Sequence, residues 1–226
     1  MSPASSAPDV PPALPRLLAF STSELAGQEG AEDILGALAS LGPRIALVAR
    51  HTHGGAGGRA LSGMTARFVA LATPAGAAVI VAGRPDIAAA WGVAGIHLRT
   101  RDLAPGSARA VHPGVRWVGR AVHSVAEAAV AAAQGADYLV FGNVFETATH
   151  PGRPARGLDE LAAVVAVGPP VVAIGGITPE RVEAVAGTGA WGVAAIGALW
   201  NAPDPRTSAE RLLAPWTAIA PGGKVP

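Results

Sequence analysis

Short apolar runs alternate with longer amphipathic stretches along the whole chain. Strands are predicted over 16–20 (RLLAF), 44–49 (RIALVA), 77–82 (AAVIVA), 95–99 (GIHLR), 116–122 (RWVGRAV), 137–144 (DYLVFGNV), 171–177 (VVAIGGI) and 191–199 (WGVAAIGAL). Between and after them, apolar residues recur at helical spacing over 31–41, 58–72, 85–93, 124–134, 157–167, 179–188 and 208–219, with a weaker stretch around 105–112. The strands are continuously apolar rather than alternating, as in a parallel sheet covered on both faces. Eight strand–helix pairs predict an α/β fold, a (β/α)8 TIM barrel. A doubly wound open sheet is the second architecture compatible with the pattern.

The barrel is expected to fill 14–220 as a single domain. Residues 1–13 are rich in Pro, Ser and Ala and read as a disordered tail; 221–226 read as a frayed end. Half the residues are hydrophobic and 15% are charged, which supplies a large core and argues against bulk disorder. With a net charge of +1 and no run of like charges, no nucleic-acid footprint is expected. Because there is no cysteine, disulfides, thiolate metal sites and cysteine nucleophiles are excluded, which fits a reducing cytoplasm. The first residues, MSPASSAPDVPPALP, lack the basic start and apolar core of a secretory signal, and no stretch is apolar for long enough to span a membrane. A homo-oligomer is compatible with the pattern, which does not set the oligomeric state.

Chemistry on such a barrel belongs where strands end and loops to the next helix begin. Strand 7 runs into Ile174-Gly175-Gly176-Ile177-Thr178-Pro179, and strand 8 into Ile196-Gly197-Ala198. Paired glycines let a backbone approach a ligand closely, and barrels often bind phosphate between these two loops. Tight turns alone would explain the same glycines. Thr178 is expected to cap the following helix and Pro179 to be its first residue.

His123 ends strand 5, just before Ser124-Val125-Ala126-Glu127, a capping-box pattern. The positive end of the helix field disfavours imidazolium, so a neutral imidazole is available as base and then as acid. A surface or supporting histidine would occupy the same position. After strand 6, the polar loop 143–152 brings Asn143, Thr147, Thr149 and His150, as substrate contacts or as a lid. Strand 2 ends in Arg50-His51-Thr52-His53, followed by glycines. His51 and His53 have the spacing of a metal pair, yet further ligands are wanting, so a flexible glycine loop is the plainer reading. Arg50 or Arg59 could meet an anion there.

Two long segments, GADYLVFGNVFETATHPG (135–152, with Arg156-Gly157 after it) and VVAIGGITPERVEAVAGTGAWGVAAIGA (171–198), resemble the thiamine phosphate synthase/TenI family, with His123 placed ahead of them. The likeness extends over most of the chain. It implies a (β/α)8 barrel in thiamine biosynthesis and one of two activities. The synthase joins a pyrimidine pyrophosphate to a thiazole phosphate and needs Mg²⁺. The TenI-type tautomerase isomerises a carboxythiazole phosphate to its aromatic form without metal.

Several synthase positions differ here. The Asn-Asp-Arg after strand 3 is Ala82-Gly83-Arg84, the lysine of the strand-6 loop is His150, and the serine of the Ser-x-His motif is Ala121. The strand-2 arginine aligns with Val48, with Arg50 close by. Asp102 matches the second metal-binding aspartate. Phe145-Glu146-Thr147 and Val122-His123-Ser124 resemble the tautomerase. The resemblance therefore implies an isomerase with His123 as acid/base, no cofactor and no metal. Its substrate would be a small phosphorylated heterocycle held at Gly175, Gly176, Ile177, Ile196 and Gly197, with Asn143, Thr147, Thr149 and Arg50 in contact. The alternatives are a synthase with Asp102 on Mg²⁺, a non-catalytic binder of thiamine intermediates, and a barrel acting on another phosphorylated heterocycle.

Overall fold

The computed structural model describes residues 13–52, 57–147, 152 and 154–217. Among them, eight parallel strands close into a barrel in chain order, each followed by helix, which confirms the TIM barrel and sets aside the open sheet. The strands are β1 (Leu17–Phe20), β2 (Ile45–Ala49), β3 (Ala78–Ala82), β4 (Gly95–Leu98), β5 (Trp117–Val122), β6 (Tyr138–Gly142), β7 (Val171–Ile174) and β8 (Gly192–Ala195). The helices are α1 (Ser23–Gly27), α2 (Ala31–Ala39), α3 (Gly57–Ala75), α4 (Pro85–Ala90), α5 (Pro105–Val111), α6 (Val125–Ala133), α7 (Gly157–Val165), α8 (Val182–Ala186), α9 (Gly197–Trp200) and α10 (Pro205–Leu213). β8 pairs with β1 through Leu17↔Val193, which closes the ring.

Side chains on successive strand residues point to opposite faces. One set, including Leu17, Leu47, Val81, Val118, Leu139 and Val193, packs against the helices. The other, Leu18, Phe20, Val48, Ile80, Trp117, Tyr138, Val140 and Val172, fills the barrel interior. That double burial is why the strands read as unbroken apolar runs. Inside the barrel, Gly119 pairs with Tyr138, and a β-carbon at Gly119 would lie 2.1 Å from the Tyr138 ring. Only glycine leaves room for that ring.

β7 and β8 end three and four residues earlier than their hydrophobicity predicts, and β4 and β6 one and two residues earlier. β7 stops at Ile174 because Gly175 and Gly176 take φ of 98° and 64°, outside the strand region. β8 stops at Ala195 because α9 starts at Gly197. The expected cap at Thr178 is not a cap: residues 178–181 form a turn in which Arg181 N donates to Thr178 O at 3.0 Å, and α8 starts three residues beyond Pro179. The serine half of the capping box at Ser124 is present, with Glu127 N donating to Ser124 Oγ at 3.1 Å, whereas the Glu127 carboxylate accepts from His123 N rather than from Ser124 N. No described helix is long and apolar enough to cross a membrane. The expected tail and frayed end lie almost wholly outside the described residues.

Candidate active site

The C-terminal ends of the strands gather four groups of polar residues. At the first, Ser21 follows β1 and is fully buried; its Oγ donates to Val48 O at 3.0 Å and accepts from Arg50 N at 3.3 Å. Arg50 Nε donates to Ser21 O at 3.2 Å, and its guanidinium lies 5.7 Å from the Phe20 ring centre. Burial pushes the Arg50 pKa down from its ordinary value; Glu24 opposes that shift and Arg99 adds to it. No described residue accepts from the two terminal amino groups of Arg50. Val48, aligned above with the family arginine, is buried inside the barrel, so Arg50 is the cation at this strand end. His51 Nδ1 meets Ser23 Oγ at 2.7 Å, and no metal-holding group of three His, Cys, Asp or Glu occurs among the described residues. His53 lies outside them.

The second group joins β3 and β4. Arg99 grips Asp102 from three atoms: backbone N at 2.7 Å and Nε at 3.1 Å on Oδ2, and Nη2 at 2.9 Å on Oδ1. Arg120 holds the same turn from behind, donating to the carbonyls of Thr100, Asp102 and Leu103. His97, two residues before Arg99, is buried against Phe20 and Tyr138. Burial first, and then the charges of Arg50, Arg99 and Arg120, lower its pKa to about 3, against a weaker pull from Asp102. It is a neutral imidazole at pH 7, and its Nδ1 has no partner among the described residues.

His123 stands at the third. Its Nδ1 meets the carbonyl oxygen of Gly142 at 2.7 Å. A carbonyl only accepts, so Nδ1 carries the proton and, in the neutral ring, Nε2 carries the lone pair. Glu127 reaches past its own cap and accepts from His123 N at 2.7 Å. The histidine is thus tied on both sides, ring to β6 and backbone to α6.

The fourth is built from the loops after β6, β7 and β8. Val144 N donates to Ile174 O, and Phe145 N to Gly175 O, at 2.9 and 3.0 Å. β-Carbons on Gly175 and Gly176 would fall 2.4 Å from Asn143 Cβ and from Glu146 O. The glycine pair is therefore required first by close packing of the two loops. The N–H groups of Gly175, Gly176, Ile177 and Gly197 donate to no backbone acceptor among the described residues. Ile177 is buried, Ile196 half-buried and Gly197 exposed. Asn143 Nδ2 donates to Phe145 O at 3.2 Å, so it holds its own loop. Thr147 is half-buried at the end of the described loop; Thr149 and His150 lie outside the described residues.

A hollow of about 400 Å³ opens at the opposite end of the barrel, beside Pro43, Trp91, Arg116 and Trp117. Among the described residues Arg116 is the only charged one lining it, so the strand-end mouth is the better site for chemistry. Sequence reasoning missed Arg99 and Arg120. The signal for Arg99 was its position two residues beyond the inward His97, where strand alternation returns to the barrel axis.

Comparison with known proteins bears on what this mouth does. A family model described as thiamine monophosphate synthase matches residues 23–199. A thiamine-phosphate synthase of Thermus thermophilus is 40% identical over 148 residues, covering 65% of this chain and 71% of that protein. One from Methanoculleus marisnigri is 40% identical over 159 residues, covering 69% and 74%. Among solved structures, a thiamine phosphate pyrophosphorylase from Pyrococcus furiosus superposes with a TM-score of 0.74 at 29% identity, over 88% of this chain and 94% of that one.

These likenesses overturn the isomerase expectation. It rested on the synthase residues replaced at Gly83, Ala121 and His150 and on short tracts such as Phe145-Glu146-Thr147, whereas identity sustained over 148 to 159 residues leads to proteins named as synthases. The tract itself carries little chemistry here: the Glu146 side chain is exposed, and its carbonyl packs over Gly176.

Proposed function

The chain belongs to the thiamine monophosphate synthase family, and from that membership we propose that it is a transferase making thiamine phosphate. It joins a pyrimidine pyrophosphate to a thiazole phosphate. The thiazole nitrogen forms a bond to the pyrimidine methylene carbon, the C–O bond to pyrophosphate breaks, and pyrophosphate leaves with the electron pair. The sustained 40% identity to a synthase carries this reading. Cysteine-free composition is in keeping with a cytoplasmic enzyme.

The displacement breaks no C–H bond, so it needs no general base at a ring carbon. His123 then binds rather than moves protons: its Nε2 accepts a hydrogen bond from an amino group such as that of the pyrimidine. Arg50 meets phosphate oxygens with its two terminal amino groups, which no acceptor among the described residues claims. The thiazole phosphate lies at the N–H groups of Gly175, Gly176, Ile177 and Gly197, near Ile196 and Thr147; Thr149, the further contact expected from the sequence, lies outside the described residues. Asn143 shapes that loop.

Magnesium is the cofactor that the resemblance attaches to a synthase. The residues of the β3–β4 corner do not fit it. A divalent cation there wants several oxygen ligands. Gly83 offers no side chain, and both oxygens of Asp102 are already engaged by Arg99. No step above is routed through a metal.

Complementation tests the reading. A bacterial strain lacking its thiamine-phosphate synthase is expected to grow without thiamine when it expresses this protein. Failure to grow, with the folded protein detected in the cells, would overturn it.

A further inference from the structure

The β3–β4 corner carries a fixed positive charge where a metal would otherwise serve. Arg99 binds both oxygens of Asp102, and Asp102 N donates back to Arg99 O at 3.0 Å, closing the turn. The carboxylate side chain is only 11% exposed, whereas that of Arg99 is 64% exposed. The acid is thus the buried anchor and the guanidinium the open face.

Across the turn, Gly83 has a φ of 75°, and a β-carbon there would stand 3.1 Å from both Arg99 Nη2 and Asp102 Oδ2. Glycine at 83 is what lets the clip close against β3. Arg50 faces the same corner from β2, close enough for its charge and that of Arg99 to repel. Its terminal amino groups have no acceptor among the described residues. Half-buried guanidinium amino groups left without acceptors are uncommon in folded proteins, and a bound anion resolves them. His97, between these cations and the barrel core, is neutral and adds no competing charge.

We propose that Arg99, held by Asp102 against Gly83, stands in for the divalent cation, and with Arg50 receives the diphosphate of the substrate. The inference rests on the synthase reading for its leaving group. As the C–O bond breaks, the electron pair passes to the pyrophosphate oxygens, and the N–H groups of Arg99 and Arg50 take up the added charge. Pyrophosphate binding and turnover then proceed without magnesium.

Calorimetric titration of the full chain with inorganic pyrophosphate tests this, in EDTA and again with magnesium. Binding in EDTA is expected to match that with magnesium within about threefold. Arg99→Ala is expected to weaken it by about 10- to 100-fold, the loss of a charge-assisted contact. Arg99 is mostly exposed, so this variant should fold, and a thermal melt verifies it. Pyrophosphate binding that requires magnesium, or that Arg99→Ala leaves intact in EDTA, overturns the inference. Thiamine phosphate formation, assayed in the same two buffers, separates the two readings. Product only with magnesium removes the inference and keeps the synthase. Metal-free, Arg99-dependent pyrophosphate binding without product in either buffer supports the anion site and removes the synthase.

Discussion

Arg99 closes on Asp102 with two prongs, Nε on Oδ2 at 3.1 Å and Nη2 on Oδ1 at 2.9 Å, in the space that a side chain at residue 83 would claim. The pairing, with a φ of 75° at residue 83, makes the β3 turn favour glycine. Gly83→Ala imposes a left-handed φ on a β-carbon and crowds the clip. It is expected to cost about 1–2 kcal/mol. Urea denaturation checks this, with a lower midpoint and an unchanged slope. An unshifted midpoint would mean that the turn relaxes freely.

His97 gives the fold a dependence on pH with a definite sign. Its folded pKa of about 3 lies below the ordinary value of 6.5, because burial excludes the charged form. Between those values the unfolded chain binds a proton that the folded chain does not. Stability is therefore full above about pH 6.5 and falls as pH drops toward 3, by about 1 kcal/mol per pH unit. Denaturation at pH 7, 6 and 5 should show that slope, and His97→Gln should flatten it. A wild-type slope of the opposite sign would contradict the burial account.

Gly119→Ala should be among the more damaging small substitutions. Its new methyl would sit 2.1 Å from the Tyr138 ring, in a fully buried layer with no open side. Overpacking of this kind costs about 1–3 kcal/mol. Adding Tyr138→Val should recover part of the loss. If the pair is no better than the single variant, the ring is not the obstacle.

His123→Ala separates binding from proton transfer. A lost hydrogen bond to the pyrimidine predicts a KM for that substrate raised about tenfold, with kcat little changed. An acid/base role would instead lower kcat by about 10²–10⁴-fold. Steady-state kinetics with the pyrimidine pyrophosphate varied decides between them.

The barrel was legible because burial on both faces leaves strands such as 45–49 and 78–82 no polar positions. The ends of β7 and β8 were less so. Gly175, Gly176 and Gly197 do not break an apolar run, yet backbone conformation ends one strand and a short helix follows the other. At the site, His123 could be placed from its capping box alone. The Arg99–Asp102 clip could not, since its existence depends on how an irregular turn folds and on empty space over Gly83. The replaced synthase residues at Gly83, Ala121 and His150, with a three-residue tract around the exposed Glu146, pointed to the wrong activity, because a few side chains say less about the reaction than the identity of the whole barrel.

The most direct test of the central claim mixes the purified protein with the pyrimidine pyrophosphate and the thiazole phosphate and follows products by mass spectrometry. The account predicts thiamine phosphate and pyrophosphate released in equal amounts. Neither product, from folded protein that instead converts the carboxythiazole phosphate to its aromatic isomer, would contradict it.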